Sequence, residues 1–416
     1  MIESGARAFL FLQGPPGPFF AQLAAALRAL GRRCCRVNFN GGDWLDWPEP
    51  AIDFTGTLAD WPDVLDGVLR REGITDIVLF GDCRPLHRVA AAAASALGIA
   101  VHVFEEGYIR PDWITLERGG VNGYSSLPKH HDTYLALAAG LPPMPALPPV
   151  PASFSQRARE AFRYYLASWA LAARFPGYAS HRPHSVPAEF RGWAWRMLKR
   201  PVARWRSARV LARLQPRTYF ILPLQLDSDH QIRTHSPFSS MTDALNFVLW
   251  SFGTHAPRDA TLLIKEHPLD NGLQPWRAMV ARLADEHGVS RRVRFVAHGD
   301  LEALVVESRG VVTVNSTSGT LALASGTPVI VLGKAVYDLP GITHRGDLAS
   351  FWAAPAKPQV EIFEAFRRVL ACRCLLRGGF SSRAGRAELV PRAAGRLNAS
   401  HSLERHGGSA PCRQTA

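Results

Sequence analysis

The chain has 416 residues, of which 47% are hydrophobic and 10% aromatic, and this length allows two ordinary domains, each with its own core. Such a composition excludes a disordered or fibrous protein. The formal net charge is +13, and nearly all of the excess lies between residues 155 and 217, where 14 Lys and Arg residues stand against two acidic residues. The basic charge is therefore local and does not by itself indicate a nucleic-acid-binding chain.

Cysteine usage and apolar runs bear on the compartment of the protein. The six cysteines show no paired metal-ligand spacing, and Cys372 with Cys374 alone would make a poor zinc site, which favours a reducing compartment. The first apolar run follows no basic leader and is broken at Gly14, which argues against a signal peptide. No stretch of 18 apolar residues occurs. We therefore expect a cytosolic protein without a membrane-spanning segment.

Residues 1–150 alternate between short β-rich runs and helix-like segments. The β-rich runs are AFLFLQ, CCRVNFN, DIVLFG and AVHVFEEG. Such alternation is typical of βαβ units around a parallel sheet. A proline-rich seam at 141–154 is incompatible with a helix interior or a central strand. We therefore predict an N-terminal Rossmann-like domain over 1–150.

Residues 151–217 predict a basic, tryptophan-rich connector made of amphipathic helices, which Pro201 is expected to kink or divide. Its apolar side is supplied by Trp193, Trp195, Leu198, Val202 and Trp205. Three interpretations stay open for this segment: packed helices with a solvated basic side, an interfacial membrane anchor, and a nucleic-acid surface. The last of these is supported by no RNA- or DNA-binding motif.

The alternation resumes at Thr218 and predicts a C-terminal Rossmann-like domain over 218–372, followed by a loose basic tail over 373–416. The predicted fold class is α/β and GT-B-like, with two Rossmann-like domains and a helical basic insertion between them. Neither domain has a GxGxxG fingerprint, so ligands are expected in a cleft at the carboxyl ends of both sheets. Some epimerases and periplasmic binding proteins share this architecture, so the fold does not decide function.

Polar clusters follow four of the predicted strands, where such folds place their chemistry. Glu105 and Glu106 form either a solvated acidic turn or a carboxylate that takes the proton of an acceptor hydroxyl. Lys265 and His267, with Pro268 fixing the turn, follow the strand TLLI. A lone histidine is more often structural, but a cation and an imidazole that leave a strand together can hold a phosphate and stabilise its departure.

The other two clusters also fall in the predicted C-terminal domain. One comprises Asn315, Ser316, Thr317 and Ser318. It precedes a helix of small residues, where hydroxyl and backbone N–H groups can bind phosphate or carboxylate, and ordinary N-capping is the alternative. The stretch LPLQLDSDHQIRTHS ends a strand and places Gln225, Asp229 and Gln231 on its loop. Capping explains one aspartate, but not the combination of two aspartates with glutamines, histidines and an arginine.

Taken together, these motifs resemble those of a known family. FEEGYIRPDWITLERGGVNGYS, the Gln225/Asp229/Gln231 pattern, KEHP and NSTSGTLAL occur in the order found in capsule polysaccharide biosynthesis proteins of KpsS type, also called LipB, which are relatives of the KpsC enzymes. The resemblance runs from about Phe9 to about Leu332. It implies a retaining β-Kdo transferase of GT-B type, which uses CMP-Kdo to add the first Kdo to lysophosphatidylglycerol. This product would start the poly-Kdo linker of exported capsular polysaccharide.

The resemblance also implies roles for the matching residues. Asp229 would be the nucleophile, and acceptor attack on the face from which CMP left would restore the β configuration. His267 would bind or protonate the departing CMP phosphate, and Glu106, or else Glu105, would be the general base. The expected substrate-binding residues are Gln225, Gln231, Lys265, Pro268, Asn315, Ser316, Thr317, Ser318, Glu105 and Arg110.

The implied partners follow from this chemistry. No cofactor or metal is expected, because a donor with one phosphate has no neighbouring phosphates for a metal to bridge. The expected partners are CMP-Kdo, lysophosphatidylglycerol, a KpsC-like transferase, the capsule ABC exporter and, through residues 155–217, the cytoplasmic face of the inner membrane, but no nucleic acid. Two alternatives stay open: an inverting, sialyltransferase-like CMP-sugar transferase with Glu106 as its only base, and a non-catalytic capsule assembly or export factor.

Overall fold

The structure is a computed structural model that describes residues 7–145, 147–180, 184–226 and 230–399. The chain divides into two compact units. The first comprises Met1–Ser126, Pro143–His181 and Leu370–Ala416, and the second comprises Leu127–Pro142 and Arg182–Val369. Each unit has its own parallel sheet, which confirms the predicted α/β, GT-B-like class with two Rossmann-like domains.

The described part of the chain contains twelve strands and fifteen α-helices. The strands are β1 (Ala8–Phe11), β2 (Arg33–Asn38), β3 (Ile52–Asp53), β4 (Asp76–Phe80), β5 (Ala100–Glu106), β6 (Trp113–Arg118), β7 (Tyr219–Pro223), β8 (Thr261–Lys265), β9 (Val293–Val296), β10 (Gly310–Thr313), β11 (Val329–Val331) and β12 (Leu375–Arg377). The helices are α1 (Phe19–Ala29), α2 (Gly41–Asp46), α3 (Trp61–Arg71), α4 (Pro85–Ala96), α5 (His131–Ala138), α6 (Phe154–Ala170), α7 (Val186–Leu211), α8 (His230–His235), α9 (Met241–His255), α10 (Trp276–Glu286), α11 (Leu301–Val306), α12 (Ser318–Ala324), α13 (Leu348–Ala353), α14 (Val360–Arg373) and α15 (Arg383–Ala399). Each β-rich run noted in the sequence overlaps one of these strands.

The sheet of the first unit has the order β12-β6-β5-β4-β1-β2-β3. Strands β1 to β5 pair in parallel through βα crossovers, whereas β6 and β12 pair antiparallel to their neighbours. Aromatic side chains dominate its core: Phe19 of α1 packs edge-on against Phe104 of β5 and against Phe380. The C-terminal helix α15 buries Leu389 and Leu397 in the same cluster.

The sheet of the second unit has the order β11-β10-β7-β8-β9, and all of its pairs are parallel. Strand β7 lies at the centre and is buried along its whole length, as expected for a strand that is covered on both faces. Helices α9, α10 and α13 contribute to the core on which it packs, where Trp352 contacts Phe220 and Phe252. All three strands that precede the polar clusters of this unit, β7, β8 and β10, are neighbours.

The structure differs from the predicted domain limits in the connector and the tail. The connector is not one insertion: α6 belongs to the first unit and α7 to the second. Residues 373–399 are not a loose tail, because β12 pairs with β6 and α15 packs on α1. The apolar residues of α15 recur at helical spacing among arginines, and one of these, Arg386, is itself buried in an ion pair with Glu160 of α6. Helix α7 continues through Pro201 without dividing.

Candidate functional site

Three polar loops start at the same edge of the second sheet. Pro223, the last residue of β7, pairs in register with Lys265, the last residue of β8. On the other side of β7, Val311 of β10 pairs with Ile221, so β10 ends at the same level with Thr313. Since neighbouring strands are about 4.8 Å apart, the loops after β8 and β10 start roughly 10 Å from each other. This spacing suits a phosphate and the sugar attached to it.

Hydrogen bonds join the loop after β7 to the loop after β10. Gln225 is buried, and its Nε2 donates to Oδ1 of Asn315 at 2.8 Å, while the Asn315 backbone N donates to Oε1 of Gln225 at 3.1 Å. Asn315 Nδ2 also donates to the backbone oxygen of Gln231 at 2.9 Å. The structure therefore brings three of the predicted residues together. Asp229, the predicted nucleophile, and Asp227 lie outside the described residues, between the two glutamines in sequence.

The turn after β8 carries the predicted phosphate-binding pair. Lys265 is buried, and this burial lowers the pKa of its ammonium group. His267 Nδ1 accepts a hydrogen bond from the Leu269 backbone N at 3.1 Å, which assigns the proton of a neutral ring to Nε2. Pro268 is exposed. A buried cation beside an imidazole with a donor at Nε2 is suited to an anionic leaving group.

Arg196 of α7 holds this turn, a role that was not predicted from the sequence. Its Nη2 donates to the His267 backbone oxygen at 3.3 Å, its Nη1 donates to the Asp270 backbone oxygen, and it pairs with Glu266 Oε1 at 3.2 Å. The helix approaches closely because of Gly192, where a β-carbon would lie 2.5 Å from the Asn271 oxygen. A glycine one turn before an arginine in an otherwise bulky helix was the available signal.

Glu266, the second residue of KEHP, has an unusual ionisation. Its burial raises the pKa of the carboxyl from 4.5 to about 7, even though Arg196 opposes the shift, and nearby Asp270 adds to it. Lys265 also opposes it. The turn thus holds a carboxyl group that changes its charge near neutral pH, and the resemblance assigns no role to this member of the motif.

The third cluster precedes α12. Ser316 Oγ accepts from the Ser318 backbone N at 3.2 Å, and the Tyr337 hydroxyl donates to the Ser316 backbone oxygen. Gly319 is required here, because a β-carbon would lie 2.3 Å from the Tyr337 hydroxyl. Thr317 is the N-cap residue, but its side chain makes no capping hydrogen bond. Among the described residues, the buried Ser318 Oγ also has no partner. Local capping therefore accounts for the Ser316 hydroxyl, but not for those of Thr317 and Ser318.

The predicted residues Glu105, Glu106 and Arg110 belong to the first unit. Glu105 and Glu106 end β5, and Glu106 Oε1 pairs with Arg157 Nη2 of α6 at 2.9 Å. Arg110 is exposed. Gly107 allows the sharp turn after them, because a β-carbon there would lie 2.1 Å from the Trp113 oxygen. Arg157 is a second basic residue whose partner the sequence did not reveal.

A buried polar cluster at the ends of β1 and β2 was also missed. Its members are Gln13, Arg36, Asn40, Asp43 and Tyr164. Arg36 Nη2 and Asp43 Oδ1 form an ion pair at 2.9 Å, with side chains only 3% and 0% exposed. Tyr164 of α6 donates to Asp43 at 3.0 Å. These groups form most of their hydrogen bonds with one another, so this cluster fixes α6 on the first sheet.

The two sheet edges differ in the ligands they offer. The second-unit edge presents amide, hydroxyl, ammonium and imidazole groups, which suit a phosphate anion better than a hard divalent cation. The first-unit edge presents carboxylates that are paired with arginines. No helix among the described residues is both long and apolar enough to cross a bilayer.

Comparison with known proteins gives consistent matches. The family model for capsule polysaccharide biosynthesis proteins matches residues 75–381. The capsule polysaccharide export protein KpsS of Escherichia coli is 38% identical over 375 residues, which cover 88% of this chain and 94% of that protein. The capsule polysaccharide modification protein LipB of Neisseria meningitidis is 36% identical, with coverage of 88% and 90%. A solved structure of Thermosulfurimonas dismutans KpsC, a beta Kdo 2,7 transferase, covers 93% of this chain and 100% of its own at 12% identity, with a TM-score of 0.45.

Proposed function

The chain belongs to the family of capsule polysaccharide biosynthesis proteins, and from this premise we propose that it is a retaining β-Kdo transferase. It uses CMP-Kdo to add the first Kdo to lysophosphatidylglycerol and so starts the poly-Kdo linker of capsular polysaccharide. The observation that carries the proposal is the convergence of Gln225, His267 and Asn315 at one edge of the second sheet. The donor and acceptor are those implied by the resemblance of the motifs.

The donor phosphate binds between the turns after β8 and β10. Lys265 supplies positive charge, and His267 Nε2 donates its proton to the phosphate oxygen as CMP leaves. Ser316 and Thr317 supply hydroxyl donors from the other side, and Arg196 keeps the histidine turn in place. No metal takes part, because these groups neutralise a single phosphate.

The transfer proceeds in two displacements. A carboxylate oxygen of Asp229 forms a bond to the anomeric carbon of Kdo, and the bond from that carbon to the CMP phosphate oxygen breaks. The acceptor hydroxyl then attacks the same carbon, the bond to Asp229 breaks, and Glu106 takes the hydroxyl proton. Two inversions leave the β configuration unchanged. Gln225 and Gln231 orient the nucleophile loop or the sugar.

The reaction takes place at the cytoplasmic face of the inner membrane, where a lysophospholipid acceptor is reached from the cytosol. A KpsC-like transferase extends the product, and the capsule ABC exporter is the later destination of the linked polysaccharide. These partners come from the family resemblance. The names of the two curated relatives, an export protein and a modification protein, agree with a place in this process.

The test is transfer by the purified chain from CMP-Kdo to lysophosphatidylglycerol, with the linkage of the product read by NMR. We expect a β linkage, and a mass increase of one Kdo on Asp229 when the acceptor is left out. Asp229→Ala should lower turnover by roughly a thousandfold or more, because it removes the nucleophile. Asp227→Ala, two positions away in the sequence, is the matched control and should retain turnover.

Three other outcomes separate the alternatives. An inverted linkage with no adduct on Asp229 would make the chain an inverting CMP-sugar transferase with Glu106 as its base. If Asp227→Ala and Asp229→Ala lose turnover equally, Asp229 has no specific role. If the wild type transfers nothing but still binds membranes and its partners, the chain is an assembly or export factor and not a transferase.

A further inference from the structure

We propose that the outward face of α7 docks this chain on an anionic phospholipid bilayer. This proposal rests on the proposed function for the lipid nature of the acceptor. It assigns membrane binding, which the sequence placed on residues 155–217, to α7 alone. Four apolar side chains form the centre of the docking surface, which we call the α7 stripe. They are Trp195, Leu198, Val202 and Trp205.

The α7 stripe follows the helical repeat. Its members stand at positions i, i+3, i+7 and i+10, so they share one side of three successive turns. Their exposed fractions are 52%, 70%, 50% and 57%, respectively. Large apolar side chains of a helix are normally covered, and a continuous exposed row of them marks an interaction surface.

The opposite side of α7 is fixed to the second unit. Gly192 lies against the Asn271 backbone, and Arg196 binds the turn after β8. Ser207 Oγ accepts hydrogen bonds from the backbone N atoms of Ala297 and His298, both at 3.1 Å. The helix therefore cannot rotate to bury its stripe without breaking these contacts.

The charges around the stripe select an anionic partner. Helix α7 has one acidic residue, the buried Glu189, and seven basic residues. The basic residues are Arg191, Arg196, Lys199, Arg200, Arg204, Arg206 and Arg209. Two of them lie over the indole rings of the stripe: Lys199 Nζ is 4.3 Å from the Trp195 centroid, and the Arg209 guanidinium carbon is 4.9 Å from the Trp205 centroid. Indole rings with adjacent cations suit the headgroup boundary of an anionic bilayer.

A bilayer fits this surface better than the other anionic partners do. A nucleic acid would engage the arginines but would leave Leu198 and Val202 without an apolar contact. A protein partner would need an acidic surface that matches the stripe on both sides. Lipid supplies anionic headgroups and acyl chains in the same plane, so it satisfies both halves of the surface.

Helix α6 of the first unit makes a weaker candidate. It also has an exposed apolar row, made of Phe154, Phe162, Leu166 and Trp169. However, its Arg157 is paired with Glu106, and its Glu160 is paired with Arg386, so part of its charge is used within the unit. Basic residues cluster more densely on α7, and the docking surface is assigned there.

The experiment is flotation of the full-length chain with vesicles. One set contains phosphatidylglycerol mixed with phosphatidylcholine, and the other contains phosphatidylcholine alone. We expect flotation with the first set only, and we expect it to weaken as salt is raised. Trp195→Ser/Trp205→Ser and Lys199→Gln/Arg206→Gln/Arg209→Gln should each reduce partitioning by about tenfold or more, through lost apolar burial and lost attraction to the anionic surface.

The matched control is Phe247→Ser/Trp250→Ser on α9. These aromatic residues are 40% and 48% exposed in the same unit, but α9 has no Lys or Arg. This variant should float like the wild type. The proposal is overturned if the α7 variants float like the wild type or if the α9 variant loses as much flotation as they do. It is also overturned if the wild type does not float. Because no donor is added, failure here is distinct from failure of the transferase assay.

Discussion

The carboxyl edges of the two sheets are both polar, but they use their polar groups differently. In the first unit, Arg36, Asp43 and Tyr164 are buried and bonded to one another. In the second, Gln225 and Asn315 bond to each other, while neighbouring hydroxyl and imidazole groups stay partly exposed. Polarity at a strand end is therefore not sufficient evidence for a site. What distinguishes the second edge is the hydrogen-bonding capacity that remains for a ligand.

The largest effect on stability is expected at the first edge. Asp43→Ala leaves the Arg36 guanidinium buried without its partner, and we expect the free energy of unfolding to fall by about 3–5 kcal/mol. Urea denaturation followed by tryptophan fluorescence measures this change. The control is Asp66→Ala, which breaks the exposed pair with Arg70 on α3 and should leave the free energy of unfolding nearly unchanged. Similar losses in both variants would contradict a structural role specific to the first cluster.

At the second edge, Arg196→Met should act mainly on the donor. It removes the hydrogen bonds that hold the His267 turn, so we expect KM for CMP-Kdo to rise roughly tenfold while KM for lysophosphatidylglycerol stays unchanged. Steady-state kinetics with each substrate varied in turn measures the split. Arg282→Met breaks only an exposed pair on α10 and is the control. Equal effects on both KM values would indicate a general structural role for Arg196.

Glu266, at the second edge, should make the free energy of unfolding depend on pH. Its pKa is raised from 4.5 to about 7, so between these values the folded chain holds a proton that the unfolded chain has lost. The stability of the wild type relative to Glu266→Gln should therefore fall as pH rises through this window, by about 3 kcal/mol in total, and level off above pH 7. Urea titrations at several pH values measure it. If the difference in stability between the two proteins does not change with pH, Arg196 fully stabilises the charged form of Glu266.

The smallest effect is expected from chelation. If the second edge binds its phosphate through ammonium, imidazole and hydroxyl groups, EDTA should leave the rate of Kdo transfer within about twofold of the untreated rate. The measurement is CMP release with the chelator present, and the control adds back Mg²⁺. A loss of activity that Mg²⁺ restores would mean that the edge uses a metal, in contrast to the hydrogen-bonding site proposed for it.

Local sequence patterns predicted the strands and the residues at their ends. The alternation of apolar runs located both sheets, and the neighbouring strands β7, β8 and β10 brought Gln225, His267 and Asn315 to one edge. Long-range contacts were not predictable in this way. The ion pairs Arg157–Glu106 and Arg196–Glu266 join residues 51 and 70 positions apart, and nothing local specifies their partners.

Composition misled the prediction for the C-terminal segment. Residues 373–399 are rich in arginine, so they were expected to be loose, yet Leu389 and Leu397 are fully buried. Their helical spacing was present in the sequence, and the surrounding charge concealed it. Nor could the sequence predict that the connector divides between the two units, because this depends on the close packing of Tyr164 against Gly42.

The return of β12 to the first sheet has a consequence for synthesis. The other six strands of that sheet precede residue 119, but its edge strand and the helix that covers α1 are the last elements in chain order among the described residues. A nascent chain thus completes the sequence of its second unit before the first can close. During that interval β6 presents an unpaired edge, the kind of surface on which other chains can add a strand, until β12 is available to cover it.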